Sequence, residues 1–164
     1  MARSSSANPP RRPGQSQAFP EGGLLAPRVS TLSKALTRSA VQFAKAEYGL
    51  AQVEWQVVTL LGVFQPVSIR ELAYHAMLDA AQISRAVSSL VARGDVNRAR
   101  SARDSREAEL SLTPQGLAMH AELTAAAQAR NRHVLEGHSA ADVARFFTML
   151  DGFIARARQL GDQE

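Results

Sequence analysis

The stretch that decides the fold is Asp104-Ser105-Arg106-Glu107-Ala108-Glu109-Leu110-Ser111-Leu112-Thr113-Pro114. An Asp-x-Arg pair at a turn is followed by a strand whose residues alternate, so that Ala108, Leu110 and Leu112 share one face. Thr113 then caps a helix, and Pro114 suits its first position because no hydrogen bond is lost there. With residues 96–100 and 107–112 as its two strands, this region predicts a basic β-hairpin that leads into a long helix.

Two short helices are predicted directly ahead of the hairpin. Ser68-x-x-Glu71 is a capping box that opens the first, and Asp79-x-x-Gln82 opens the second, which runs to about residue 93. The apolar residues of the second helix fall on one stripe: Ile83, Val87 and Leu90. Two short helices and a basic hairpin make a winged helix, whose usual use is reading DNA.

Further helices are predicted on both sides of this unit. One begins with Ser30 as its N-cap and ends at Tyr48, and another covers about residues 53–63. A fifth helix follows Pro114, and Ser139 caps a sixth. The sixth has an apolar face that a partner must cover: Val143, Phe146, Phe147, Leu150, Phe153 and Ile154.

The predicted fold class is mainly α with a small β-wing. Residues 1–23 are rich in Ser, Pro, Gly and Arg without an apolar period, which predicts a disordered tail. Residues 51–113 form the winged helix-turn-helix domain, and residues 24–50 and 114–160 form helical arms.

Composition narrows the range of functions. The 164-residue chain has a net charge of +4, and only Lys34 and Lys45 among its 19 basic residues are lysines. Arginine suits phosphates and guanine edges, although a GC-rich genome is an equal explanation of the excess. Between Arg85 and Arg106, six arginines stand against two acids. No apolar run approaches the ~20 residues of a membrane span, and no signal peptide is recognisable, so a cytoplasmic protein is expected.

Catalysis and metal binding are disfavoured. The chain contains no Cys, no glycine-rich phosphate loop and no recognisable Ser/His/Asp arrangement, so neither an enzyme nor a cofactor is expected. His120 and His133 lie thirteen residues apart on one predicted helix, which turns them about 220° from each other. No metal site is therefore predicted.

The second short helix carries the candidate DNA-reading residues. Its buried stripe leaves Gln82, Ser84, Arg85 and Ser88 outward. Gln can pair with adenine, Arg with guanine or phosphate, and Ser with phosphate. The alternative is an ordinary solvated face. Ser68, at the start of the preceding helix, is a further candidate for phosphate contact.

The hairpin carries the other DNA-contact candidates. Arg100, Arg103 and Arg106 flank a turn on a slender shape that fits the minor groove. Asp104 would either fix the Arg106 guanidinium before DNA arrives or serve as an ordinary turn residue.

The region from about residue 49 to residue 117 resembles the MarR family of bacterial transcription regulators. The matching motifs are Glu54-Trp55, Ile69-Arg70-Glu71-Leu72-Ala73, Ser84-Arg85-Ala86-Val87, Leu90-Val91-x-x-Gly94, and Asp-x-Arg-x5-Leu-Thr ending at Thr113. The resemblance implies a homodimer, built by the first, fifth and sixth helices, that binds a pseudo-palindromic operator in double-stranded DNA. It also implies that Arg106 enters the minor groove and that Asp104 holds it.

Three features depart from the family pattern. Ala51 replaces an N-capping Ser or Thr. Ala80 and Ala81, at the start of the second short helix, replace longer and often basic side chains, so base readout is expected to rest more heavily on Gln82 and Arg85. Asp95 follows Gly94 where an apolar residue is usual, and we expect it to loosen the contact at that helix end.

The resemblance further implies release from DNA by a small effector, often aromatic and in some members a coenzyme A thioester. Phe43, Tyr48, Trp55 and His75 are the candidate lining of its site, although a residue of each kind is more often plain core or surface. The resulting prediction is a ligand-released repressor. The alternative is a winged-helix protein-interaction module without specific DNA binding, which would not require an Arg-rich wing.

Overall fold

A computed structural model describes residues 23–100 and 108–161 of the chain. Within these ranges the fold is mainly helical, with one small antiparallel sheet, which confirms the predicted fold class. The elements in chain order are α1 (Leu25–Tyr48), α2 (Gln52–Phe64), α3 (Ile69–Ala76), α4 (Ala80–Ala92), β1 (Val96–Arg100), β2 (Ala108–Leu112), α5 (Pro114–Val134) and α6 (Ala140–Gly161).

Local capping sets the starts of several helices, as predicted. The Ser68 hydroxyl accepts from the N–H of Glu71 at 3.2 Å, and the Glu71 carboxylate accepts from the N–H of Ser68 at 2.7 Å. Asp79 accepts from the N–H of Gln82 at 2.8 Å, and Thr113 accepts from that of Gly116 at 3.1 Å. Each contact satisfies a helix N–H that has no partner inside its helix.

The predicted start of α1 was wrong. The helix begins at Leu25, so Ser30 lies inside it and is not its N-cap. Pro27 is the third helical residue, where its missing N–H breaks no hydrogen bond of the helix. The chain therefore enters the helix before the capping signal at Ser30 is reached.

The chain divides into two compact units, with the boundary after Thr37. The first unit contains the amino-terminal part of α1. The second unit contains the remaining elements and a hydrophobic core to which α2, α3, α4 and the sheet contribute. The largest fully buried apolar side chains are Leu50, Val57, Val58, Leu61, Leu72, Ile83, Val87, Leu90 and Leu110.

The wing is anchored to the segment that precedes α3. Strands β1 and β2 pair antiparallel, from Val96 opposite Leu112 to Arg100 opposite Ala108. Val67 and Leu110 exchange two backbone hydrogen bonds, of 3.2 and 2.8 Å. Leu110 and Leu112 are buried and Ala108 is half-buried, which agrees with the predicted inner face.

Two glycines allow helices to approach their neighbours closely. A Cβ on Gly116, in the first turn of α5, would stand 2.0 Å from the carbonyl oxygen of Asp95. A Cβ on Gly62, in α2, would stand 2.1 Å from Nε2 of His120. The start of α5 and its middle are therefore both packed against the winged-helix elements. In the part of the chain that the structure describes, no helix combines the length and apolar character needed to cross a membrane.

Candidate nucleic-acid interface

Helix α4 separates a buried stripe from a polar face. Ile83, Ala86, Val87 and Leu90 are buried, which confirms the predicted core stripe. On the other side, Arg85 and Ser88 are exposed, while Gln82 and Ser84 are half-buried. These four polar residues are called the reading face below. Packing thus holds the helix by one side and leaves the other side to a partner.

The reading face differs in hydrogen-bonding capacity from residue to residue. The hydroxyl of Ser88 donates to the carbonyl of Ser84 at 2.8 Å, inside the helix. Its oxygen lone pairs remain able to accept, for example from an amino group of a base. The amide of Gln82 and the guanidinium of Arg85 are the two longer groups, and both have the geometry for bidentate contacts.

Gln82 and Arg85 line a cleft of about 330 Å³ beside the first turn of α2. Ala51 and Glu54 form part of its opposite wall. The Glu54 carboxylate accepts from the N–H of Ala51 at 2.7 Å, which supplies the half of a capping box that Ala51 itself cannot provide. The start of α2 is therefore fixed next to the reading face.

A second cleft, of about 270 Å³, lies where α3, α4 and the wing meet. Arg70 and Arg98 both line it, so two guanidinium groups border one concave surface. Neither was singled out as a contact residue from the sequence. For Arg98 the sequence does contain a signal. Side chains alternate between the two faces of a strand, so Arg98 lies on the same face of β1 as the buried Val96, towards the start of α3.

The remaining residues predicted to contact DNA are one serine before α3 and the basic and acidic residues of the wing. Ser68 is only 7% exposed, and its hydroxyl both donates to and accepts from Glu71 in the capping box, which leaves it little capacity for a phosphate. Its contact with DNA stays a prediction. Arg100 is exposed at the end of β1. Arg103, Asp104 and Arg106 lie outside the described residues, so the wing-tip contacts also stay predictions.

Two of the predicted effector residues lie on α1 and face α5. Phe43 is half-buried, and the Arg130 guanidinium stands 5.9 Å from the centre of its ring. The hydroxyl of Tyr48 donates to the carboxylate of Glu122. Each of these two rings thus has a charged neighbour on α5, which is Arg130 for Phe43 and Glu122 for Tyr48.

The structure does not bring His75 into this group. His75 is exposed and stacks on Phe64, with ring centres 4.1 Å apart. Trp55 is half-buried at the other end of α2, nine residues before Phe64, which is about 13 Å along the helix axis. A site lined by Trp55 would therefore not include His75. Among the described residues, no group of three His, Asp or Glu side chains is placed to hold a metal ion.

The environment of Tyr48 makes its ionisation measurable. The hydrogen bond to Glu122 is the main cause that raises the pKa of Tyr48 from 10.0 to about 12, and burial and the charges of Glu122 and Glu47 add to it. The contact is therefore fully stabilising below pH 10 and is lost as the pH rises towards 12.

Because the chain has only two tyrosines, phenolate absorbance can resolve this group. We expect a step near pH 12 in the native protein that disappears in Tyr48→Phe and moves to lower pH in Glu122→Gln. Glu136→Gln, which changes an exposed acid just after α5, is the control and should leave the step in place. An unchanged titration in Glu122→Gln would contradict the contact.

Asp95 does not loosen the end of α4, contrary to the expectation from the family pattern. Its side chain is 2% exposed, and both carboxylate oxygens have partners. Nε of Arg93 donates to one oxygen at 2.9 Å, and Nε2 of Gln115 donates to the other at 2.9 Å. Arg93 also donates to the backbone carbonyl of Tyr48 at 2.9 Å. A polar contact thus replaces the usual apolar one, and burial is tolerated because the charge is paired.

Comparison with known structures supports the same architecture. A MarR family regulator from Methanosarcina mazei superposes with a TM-score of 0.73 at 16% identity, over 83% of this chain and 97% of that one. A MarR/EmrR family regulator from Acinetobacter gives 0.68 at 20% identity, over 82% and 94%. A putative MarR family regulator from Listeria monocytogenes, solved with a 26-mer DNA, gives 0.72 at 16% identity, over 81% and 88%. At these identities the likeness establishes the fold.

Sequence comparison supplies the family. The curated proteins contain no significant match to the chain. The model of the MarR family matches residues 48–107, which include α2, α3, α4 and β1. The winged-helix segment at residues 48–107 therefore belongs to the MarR family, and the chain has the fold of that family's transcriptional regulators.

Proposed function

We propose that the protein is a dimeric, sequence-specific DNA-binding transcription regulator that acts as a repressor and is released by a small ligand. The observation that carries the proposal is the outward face of α4. Gln82 and Arg85 border a cleft that is open to a partner, while the apolar side of the same helix is fully used in the core. A major groove about 12 Å wide admits such a helix.

The basic residues around this helix support contact with the DNA backbone. Arg70 and Arg98 border the cleft between α3, α4 and the wing, and Arg100 is exposed on β1. Cations beside a reading helix neutralise phosphates and fix its register on the duplex. A protein of the same fold from Listeria monocytogenes has been solved with DNA, which adds support for this use.

The apolar face of α6 supports a second copy of the chain as partner. Phe146 is 47% exposed and Phe153 is 37% exposed, and Phe147 and Ile154 accompany them. A contiguous apolar patch of this kind marks an interface. In the proposed dimer, residues 24–50 and 114–160 are the arms, and two winged helices read half-sites about one helical turn apart.

The proposed effector is a small aromatic acid or its coenzyme A thioester. Phe43 and Tyr48 both lie in the last two turns of α1, with Arg130 near the first and Glu122 bonded to the second. The rings and the guanidinium supply the chemistry that an aromatic anion requires. A ligand bound here would contact α1 and α5, both of which belong to the proposed arms.

The reading role is tested on DNA selected by the wild-type protein from a random-sequence library. Gln82→Ala and Arg85→Ala are each expected to lose about 1–3 kcal/mol of binding free energy on the selected sequence, and much less on random DNA. Affinities measured by fluorescence anisotropy at one fixed salt concentration provide the comparison.

Arg132→Ala is the control for charge, because Arg132 is exposed on α5 away from the reading face. It should have a small and equal effect on both DNAs. Equal losses on both DNAs for Gln82→Ala and Arg85→Ala would mean that α4 contacts the DNA backbone and does not read bases. Failure of the wild-type protein to enrich any sequence would favour the protein-interaction module instead.

A further inference from the structure

Three side chains tie the end of α4, called the recognition helix below, to two other helices. Arg93 ends α4, Asp95 lies in the turn that follows it, and Gln115 is in the first turn of α5. Arg93 and Gln115 each hold one oxygen of the Asp95 carboxylate, and Arg93 also reaches the carbonyl of Tyr48 at the end of α1. Arg93, Asp95 and Gln115 are called the clamp below.

The clamp is rigid for reasons of burial and bonding. Asp95 is 2% exposed, so water cannot replace a partner that it loses. Its backbone is held as well: its N–H donates to Leu90 at 2.9 Å, and its carbonyl accepts from the N–H of Thr113 at 3.1 Å. The side chain therefore cannot follow a movement of Arg93 or Gln115 without breaking a hydrogen bond.

A second connection runs between α1 and α5. Tyr48, whose carbonyl accepts from Arg93, also donates its hydroxyl to Glu122 on α5. The ends of α1 and α4 and the first half of α5 are thereby joined in a closed circuit of polar contacts. No part of this circuit belongs to the reading face.

We propose that Arg93, Asp95 and Gln115 are positioning residues that set the tilt of the recognition helix against α1 and α5, and thereby the separation of the two half-sites that the dimer accepts. The part that concerns DNA rests on the proposed function. Gln82 lies eleven residues from Arg93, about 16 Å along the helix axis. A tilt of about 10° at the clamp moves Gln82 by about 3 Å, close to the roughly 3.4 Å rise of one base pair.

Three variants separate positioning from charge. Arg93→Lys and Gln115→Met leave the net charge unchanged, and Asp95→Asn removes a negative charge. Simple electrostatics therefore predicts unchanged binding for the first two and tighter binding for the third. The clamp predicts that all three weaken discrimination between operators whose half-site spacing differs by one base pair.

The first measurement is affinity for the selected operator and for versions with one base pair inserted or deleted at its centre. We expect the wild-type protein to prefer the original spacing about tenfold or more, and the variants to prefer it less than about threefold. The concentration of active protein is set by stoichiometric titration, so that a loss of folded protein does not imitate a loss of preference. Arg132→Lys and Gln128→Met, on exposed positions of α5, are the matched controls and should keep the wild-type preference.

The second measurement needs no DNA. Because the chain has no cysteine, spin labels can be placed at Ser88→Cys on α4 and Ala125→Cys on α5, with unlabelled protein in excess. The distribution of distances between the labels is expected to broaden in Arg93→Lys, Asp95→Asn and Gln115→Met. A wild-type protein that selects no DNA sequence would refute the proposed function, while this distribution would still decide the clamp. Unchanged widths in the three variants would overturn the clamp, and so would unchanged spacing preference.

Discussion

Phe153→Glu is expected to convert the proposed dimer into a monomer at micromolar concentration. Phe153 is 37% exposed on the apolar face of α6, beside Ile154, and Phe146 and Phe147 continue the face one to two turns earlier. Full burial of a Phe side chain contributes about 1.5–3 kcal/mol, and because little more than a third of Phe153 is exposed, a partner adds about 0.5–1 kcal/mol by covering it. In a two-fold dimer each substitution is present twice, so the lost burial amounts to about 1–2 kcal/mol, and each unpaired carboxylate buried at the interface costs several kcal/mol more.

The lost burial alone raises the dimer dissociation constant about 5- to 30-fold, and the two buried charges raise it further. Sedimentation equilibrium measures it directly. Ala155→Glu is the matched control, since it adds the same charge about 200° around the helix from Phe153 and should leave the dimer intact. A dimer of unchanged affinity in Phe153→Glu would exclude this face as the interface. Loss of the dimer in both variants would point to net charge as the cause.

Gly116→Ala is expected to lower the free energy of unfolding by about 3 kcal/mol. Helix propensity alone predicts the opposite sign, a gain of about 0.5–1 kcal/mol, because Gly116 is in a helix. The new Cβ would stand 2.0 Å from the carbonyl oxygen of Asp95. A main-chain oxygen cannot rotate aside, so α5 or the turn at Asp95 must move, and the steric term exceeds the propensity term.

Two other glycines provide the comparison for urea unfolding. A Cβ on Gly152, in α6, meets only Nη2 of Arg156 at 3.4 Å, which is an ordinary contact, so Gly152→Ala should be neutral or stabilising. Gly62→Ala should lie between the two, since its Cβ meets the ring of His120, and in the His120→Ala background its effect should shrink. If Gly116→Ala were as stable as Gly152→Ala, the close approach of α5 to Asp95 would be wrong.

The sequence predicts those parts of the fold that depend on neighbouring residues. Capping by Ser68, Asp79 and Thr113 acts over three residues, and the apolar stripe of α4 repeats every three or four. The caps and the stripe can therefore both be predicted from the sequence alone. The capping rule gave a wrong prediction at Ser30, because this residue lies inside α1. The helix begins earlier, at Leu25, and Pro27 is tolerated in its first turn.

The parts of the site that were missed depend on residues far apart in the chain. From the sequence, Asp95 was expected to weaken the end of α4, because its partner Gln115 lies twenty residues away. The carbonyl to which Arg93 donates lies 45 residues from Arg93. The bond from Tyr48 to Glu122 spans 74 residues. No periodicity or capping rule connects such positions. The reading face was accessible from the sequence because a buried stripe on one side of a helix defines its other side.

The backbone pairing of Val67 with Leu110 has a consequence for how this chain can be rebuilt. The two residues exchange both of their hydrogen bonds, so their Cα atoms are about 5.5 Å apart although 43 positions separate them. The segment between Val67 and Leu110, which contains α3, α4 and β1, therefore begins and ends at two neighbouring points of the fold. A segment of that kind can be exchanged for the corresponding segment of a relative through two adjacent joins. The new segment must keep an apolar side of α4 that matches α2, and it must keep Arg93 and Asp95 for their contacts with Tyr48 and Gln115. Operator preference could then be transplanted without redesign of the arms.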